Sequence, residues 1–161
     1  MNLSVVCHDI RSVHNVGSIF RTADAAGVEK IYLCGITPSP RDRFGKVRAD
    51  FAKVSLGAED SVVFESTKTT EEAVAKLKAE GWTIFALEQS EKSIPYDQIP
   101  GSDIANLKVC LVLGNEVGGL PPALLMLADR IIEIPMRGMK ESLNVAVAFG
   151  VAIFGILQVF K

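Results

Sequence analysis

Residues 108–135 read KVCLVLGNEVGGLPPALLMLADRIIEIP. A short apolar run rich in β-branched residues (108–114) ends in a turn carrying three glycines, which predicts a buried strand and a tight exit. Paired prolines then open a short helix over 121–128, and RIIEIP (130–135) is a second strand. Strand, helix, strand is the unit of an α/β fold. Working outward, the alternation repeats. Strands are expected at 3–7, 30–35, 61–65 and 82–88, with helices at 15–27, 69–81 and 143–160. A loop with Pro38, Pro40 and Gly45 follows the second strand, and residues 89–107 are irregular, a lid or a plain connection. The reading is one α/β domain over 1–161, a mostly parallel sheet covered by helices on both faces. No linker, repeat or low-complexity segment interrupts it.

The 161 residues are 48 % hydrophobic and 22 % charged, ordinary globular values. No basic segment precedes an early apolar run, so no secretory leader is read. The only membrane candidate is 143–160. Asn144, Gly150, Gly155 and Gln158 interrupt it, and its length is at the short end for a span, so it reads as a buried helix. Cys7, Cys34 and Cys110 are far apart and embedded in apolar runs, as reduced core thiols of a cytoplasmic protein would be. Neither they nor His8 and His14 have metal-ligand spacing, so no metal is expected. The net charge of −2 does not advertise a nucleic-acid partner, but its distribution is uneven. Residues 1–53 carry eight Lys/Arg against five Asp/Glu, whereas 54–107 carry four against ten. Arg41, Arg43, Lys46 and Arg48 form a basic loop compatible with phosphate contact, or with a solvated surface.

Ligands of open α/β sheets sit beyond the carboxyl ends of the strands. The sequences there are ALEQS (86–90), LGNEVGGL (113–120), IPMRGMKESLN (134–144) and HDIRSVHNVGSIFR (8–21). Neither a P-loop nor a dinucleotide glycine fingerprint is present, which disfavours a nucleotide-phosphate enzyme or a dehydrogenase. Glu116, among Gly114, Gly118 and Gly119, is either a ligand-facing acid or a cap on the following helix. Ser142 sits where an N-cap belongs. Asn144, a mediocre helix former among apolar residues, is left unexplained by capping. Asn15 is a plausible N-cap of the first helix. Arg21, six residues on, is either a functional cation or a surface residue paired with Asp24 or another acid.

Three of these stretches together resemble a known family. NVGSIFRTADAAGV (15–28), LVLGNEVGGLPPALLMLAD (111–129) and IEIPMRGMKESLNVAVAFGVAIFGIL (132–157) are similar, in order and spacing, to the three motifs of the SpoU (TrmH-type) branch of the SPOUT superfamily. That branch comprises RNA ribose 2′-O-methyltransferases, and the likeness spans essentially the whole chain. Two positions depart from the pattern: Ala146, where relatives often carry serine, and Phe149, where a small residue is common.

The resemblance implies a C-terminal trefoil knot, S-adenosylmethionine as methyl donor, tRNA or rRNA as substrate, and a homodimer whose site is completed across the interface. No membrane or metal is called for, and no separate RNA-binding domain is seen. Carried over by position, the implied catalytic set is Asn15, Arg21, Glu116, Ser142 and Asn144, with Arg21 as either base or phosphate clamp. The implied cofactor pocket is Leu87, Gly114, Ile134, Met136, Ser142 and Leu143. Arg11, Arg41, Arg43, Lys46 and Arg48 are the expected RNA contacts. The alternative is a knotted domain that binds RNA or the cofactor without transferring methyl groups.

Overall fold

The computed structural model describes residues 2–100 and 108–159. Residues 101–107 of the expected lid or connection, and Phe160 of the expected last helix, lie outside the described residues. Among the described residues, seven strands form one sheet: β1 (Asn2–His8), β2 (Lys30–Cys34), β3 (Val63–Thr67), β4 (Trp82–Leu87), β5 (Ile94–Pro95), β6 (Lys108–Leu113) and β7 (Arg130–Glu133). Their spatial order is β3-β2-β1-β6-β4-β7-β5, and every pairing is parallel. Six helices, again among the described residues, accompany them: α1 (Val13–Ala26), α2 (Ala49–Ser55), α3 (Ala58–Ser61), α4 (Thr70–Ala79), α5 (Pro122–Leu125) and α6 (Val145–Val159).

The alternation of side chains along a strand divides the core in two. Leu3, Val5 and Cys7 of β1 and Val109, Leu111 and Leu113 of β6 face a large cluster built with α1, α2 and α6. Val6, Cys110 and Val112 face the other way, against Ala73, Val74 and Leu77 of α4 and Leu124 of α5. Both faces of the central strands are covered, which is why their sequences run apolar without a break. All three cysteines are free and buried, and burial pushes each thiol above its ordinary pKa, Cys7 and Cys110 well above it.

Local chemistry fixes the helix ends. Ser12 caps α1 by accepting from the Asn15 N–H at 3.2 Å, and Gly27 closes it in a left-handed conformation. Asn15 is therefore inside the helix, not its cap. Thr69 caps α4, whose first turn holds Glu71 and Glu72 and whose last holds Lys76 and Lys78, matching the helix dipole. In α6, Phe149, Ala152, Ile153 and Ile156 form the buried stripe, and the Tyr96 ring lies so close over Gly155 that any β-carbon there would meet it at 2.3 Å. Among the described residues no helix is long and apolar enough to cross a membrane.

Two sequence expectations move. The third strand is Val63–Thr67, not 61–65, because Ser61 ends α3 and the Val62 N–H still bonds the Ala58 carbonyl at 3.0 Å. The basic loop leads into α2, which went unread because so short a helix has little periodicity. Phe51 of α2 is fully buried, its ring edge-on to Phe20 at 5.2 Å, and Phe64 packs on Phe20 at 5.8 Å. This three-ring cluster joins α1, α2 and β3. Phe20→Ala is expected to lower unfolding stability by about 3–5 kcal/mol in urea denaturation, with an unchanged m-value.

Candidate active site

The chain leaves β1 for β2 and β3 on one side, then crosses beyond β6 to build β4 on the other. Strand ends diverge at such a switch and leave a crevice on the carboxyl rim. A cavity of about 670 Å³ opens there, between the end of β4, the turn after β6, the segment after β7 and the start of α6. Leu87, Gly114, Ile134, Met136, Ser142 and Leu143 all line it.

The turn after β6 is tight enough to require glycine. A β-carbon on Gly114 would lie 2.4 Å from the Gly119 carbonyl carbon. Gly119 itself has φ of 61°, and a β-carbon there would meet a Glu88 carboxylate oxygen at 2.1 Å. Asn115 closes the turn by accepting from the Val117 and Gly118 N–H groups at 3.0 and 2.7 Å. Glu88 holds its far end by accepting from the Leu120 N–H at 2.9 Å. Glu88 and Asn115 were not singled out from the sequence. Glu88 had a legible signal, an acid one residue past a buried strand on the ligand rim.

A polar chain joins three segments distant in sequence. Glu116 accepts from the backbone N–H groups of Arg11 and Ser12 at 3.1 and 3.0 Å, and from Asn15 Nδ2 at 2.9 Å. Asn15 Oδ1 in turn accepts from Asn144 Nδ2 at 3.0 Å. Asn144 Oδ1 accepts from the Ala146 N–H at 2.9 Å, which makes Asn144 the cap of α6. Two readings are thereby corrected. Glu116 binds the start of α1 and does not cap the helix after it, because α5 begins with prolines that offer few N–H donors. Ser142 is not the N-cap, since α6 begins at Val145, and the helix cap falls on Asn144. Partial burial pushes the Glu116 carboxyl up, but the three N–H donors outweigh it and hold its pKa below the ordinary 4.5.

The cavity is electrostatically one-sided. Glu88, Glu116 and Glu133 line it, and its described lining includes no lysine or arginine. Arg21 lies outside it, exposed on α1, where it borders a second, shallower hollow with His14, Ser18, Lys53 and Phe154. The alternative of a pairing with Asp24 is not realised. Asp24 instead accepts from Ser61 Oγ at 2.5 Å. Arg11 is exposed beside Glu116, its backbone bonded and its side chain at the surface. In the basic loop, Arg41 pairs with Asp60 at 2.6 Å and Arg48 with Asp50 at 2.8 Å, while Arg43 and Lys46 are exposed.

Residues 2–154 match the SpoU rRNA Methylase family. The chain belongs to that family. Among its SpoU relatives, the tRNA (guanosine(18)-2′-O)-methyltransferase of Escherichia coli (strain K12) is 33 % identical over 153 residues, covering 95 % of this chain and 62 % of that enzyme. The chain thus spans less than two thirds of the length of that relative. The AdoMet-bound rRNA methyltransferase from Sinorhizobium meliloti superposes with a TM-score of 0.86 at 29 % identity, over 98 % of this chain and 56 % of the other. The A. aeolicus TrmH/SpoU tRNA modifying enzyme gives 0.81 at 28 %, over 98 % and 75 %.

Glu116 carries a pH prediction. A carboxylate with a lowered folded-state pKa stabilises the fold above its unfolded pKa, and that stabilisation is lost as pH falls through the folded value. Glu116→Gln should therefore be less stable than wild type at neutral pH. The gap should narrow as pH drops below 4.5, as followed by urea denaturation of both proteins across pH.

Proposed function

We propose that this SpoU-family chain transfers a methyl group from S-adenosylmethionine to a ribose 2′-hydroxyl of tRNA or rRNA. One observation carries the reading: a rim cavity walled by carboxylates, with the Glu116–Asn15–Asn144 chain at its edge. The cofactor fits that cavity chemically. Leu87, Ile134 and Leu143 offer apolar surface, Gly118 and Gly119 leave backbone open to close approach, and three acids suit a cationic ligand. The same acids oppose a dinucleotide pyrophosphate.

S-adenosylmethionine, when bound, supplies a methyl group on a sulfonium that leaves as a neutral thioether. The chain's own residues position and desolvate. Leu87, Gly114, Ile134, Met136, Ser142 and Leu143 would hold the donor, and the gain from such orientation is the largest available term. Glu116 and Asn15 fix Asn144 in one rotamer at the start of α6, where it and Ser142, two residues earlier, would orient the acceptor hydroxyl.

Arg21 completes the set as a clamp on the acceptor phosphate or as the group that takes up the hydroxyl proton. The clamp suits guanidinium chemistry better, because arginine stays protonated and grips phosphate in two places, and the hydroxyl proton then passes to a phosphate oxygen or water as the O–CH3 bond forms. Its position on the outer face of α1 supports service to the cavity of a second copy. Val147 is 53 % exposed and Phe154 44 % on the largely apolar α6, a surface suited to a homodimer with Arg21 at its border. The same reading includes the trefoil knot. α6 packs back on α1 and β6 although β7, which precedes it, lies beyond β4, so the chain must return across the rim. Buried reduced thiols and an RNA substrate suit the cytoplasm.

Two experiments test this. S-adenosylmethionine should raise the melting temperature and a nicotinamide dinucleotide should not; the reverse result would refute the cofactor assignment. Arg21→Ala and Asn144→Ala should each cut radiolabelled methyl transfer into bulk tRNA or rRNA about a hundredfold. Mixing the two inactive proteins after dissociation should restore activity if Arg21 serves the partner's cavity. Cofactor binding by a wild-type protein that transfers nothing to either RNA would favour the inactive binding domain.

A further inference from the structure

The tip of the basic loop is built to present one aromatic ring. Arg41 and Val47 form an antiparallel bridge, the Asp42 N–H donates to the Lys46 carbonyl at 2.8 Å, and the Gly45 N–H donates to the Asp42 carbonyl at 3.0 Å. Residues 43–45 are thus a three-residue hairpin loop, with Gly45 at φ of 79° in the left-handed position such loops need. Asp42 Oδ1 accepts from the N–H groups of Phe44 and Lys46 at 2.8 and 3.0 Å, which pins the turn from inside. Arg41 braces it from outside, donating to the Gly45 carbonyl at 3.2 Å while paired with Asp60.

At the apex of this braced turn Phe44 is 80 % exposed, and the Arg43 guanidinium lies 4.8 Å from its ring centroid. A phenylalanine left in water contributes nothing to the fold. Ordered backbone bonds below it mean that its place is fixed before any partner arrives, which lowers the entropy lost on binding. Among the described residues no acid pairs with Arg43 or Lys46, the two cations beside it. An exposed ring with a guanidinium over one face and an exposed lysine two residues on has the chemistry that holds a single-stranded nucleic acid: the open face stacks a base and the cations take adjacent phosphates.

Resting on the RNA methyltransferase reading, we propose that Phe44 is a stacking platform for an unpaired nucleobase of the substrate RNA, with Arg43 and Lys46 holding the flanking phosphates. The hairpin thus selects RNA with an unstacked base, and does more than supply charge. An anionic membrane is the weaker fit. Two unpaired cations and one ring supply little anchoring energy, and the neighbouring Asp42, Asp50 and Asp60 would be repelled by a flat anionic plane.

The test compares Phe44→Ala, Phe44→Leu and Phe44→Trp with wild type, using an RNA stem-loop and a blunt RNA duplex of equal length. Because Phe44 is exposed, all variants should melt with wild type. Loss of the ring in the alanine and leucine variants should weaken stem-loop binding roughly 5- to 150-fold, the range for stacking one base on an aromatic ring. Duplex binding should hardly change, and the tryptophan variant should bind the stem-loop at least as well as wild type. In a Trp82→Phe background, the tryptophan at 44 should be quenched by the stem-loop and not by the duplex. Equal stem-loop binding by all variants, while wild type still methylates RNA, overturns the stacking role and leaves the methyltransferase reading intact. Absence of both RNA binding and methyl transfer in wild type overturns both. Ring-dependent binding to phosphatidylserine vesicles, without ring-dependent binding to the stem-loop, assigns the tip to a membrane and also overturns the proposal.

Discussion

The carboxylate of Glu116 is the contact on which the rim depends. It leaves β6 on a turn that only glycine can make, and its oxygens meet two backbone N–H groups at the start of α1 and the Asn15 amide. A helix N-terminus leaves N–H groups without intrahelical partners, and an anion there is favoured by both hydrogen bonding and the dipole. One carboxylate therefore joins the strand turn to the first helix, and through Asn15 to Asn144 it joins the last helix as well. Each member is locked by the next. Asn15 could not turn away without leaving a buried amide unsatisfied, a cost of about 1–3 kcal/mol.

That network also explains why the cavity can be both acidic and ordered. Glu116 and Glu88 are committed to backbone donors, so their charge is held in place by the fold and does not require a basic side chain in the lining. Cations stand outside its lining, among them Arg21 on the outer face of α1 and Arg43 and Lys46 on the hairpin tip. The molecule thus separates two kinds of ligand surface: an anionic pocket for a compact cationic group, and cations with one exposed ring for a long anionic chain. The hairpin tip and the nearest cavity residue in the chain, Leu87, are about forty residues apart, and the parallel sheet places the pocket at the carboxyl ends of β4, β6 and β7.

Much of the fold was legible in the sequence. The parallel α/β class followed from unbroken apolar strands such as 108–114 alternating with helical stretches, because strands covered on both faces have no polar side to show. β3 was placed two residues early, since Ser61 and Val62 are as acceptable in a strand as in the end of a short helix. α2 was missed because one Phe51 anchor gives no period to detect. In the site, the rim rule pointed to the right segments. Even so, it assigned caps to Asn15 and Ser142 that belong to Ser12 and Asn144, since Ser and Asn cap equally well and only the helix start decides between them.

By itself the sequence determined the fold class, the apolar core, the three motif stretches and the residue types available on the rim. These depend on periodicity and turn chemistry, which are local. Only the tertiary structure decided which of those polar groups meet. Glu116 and Asn15 are 101 residues apart, and Asn15 and Asn144 are 129 apart. Their hydrogen bonds need distances near 3 Å, set by how β6, α1 and α6 pack together and by no local preference. The same holds for the basic loop. Its charges were countable from the sequence, but folding decided that Arg41 and Arg48 would be spent on Asp60 and Asp50 while Arg43 and Phe44 stayed exposed at the apex.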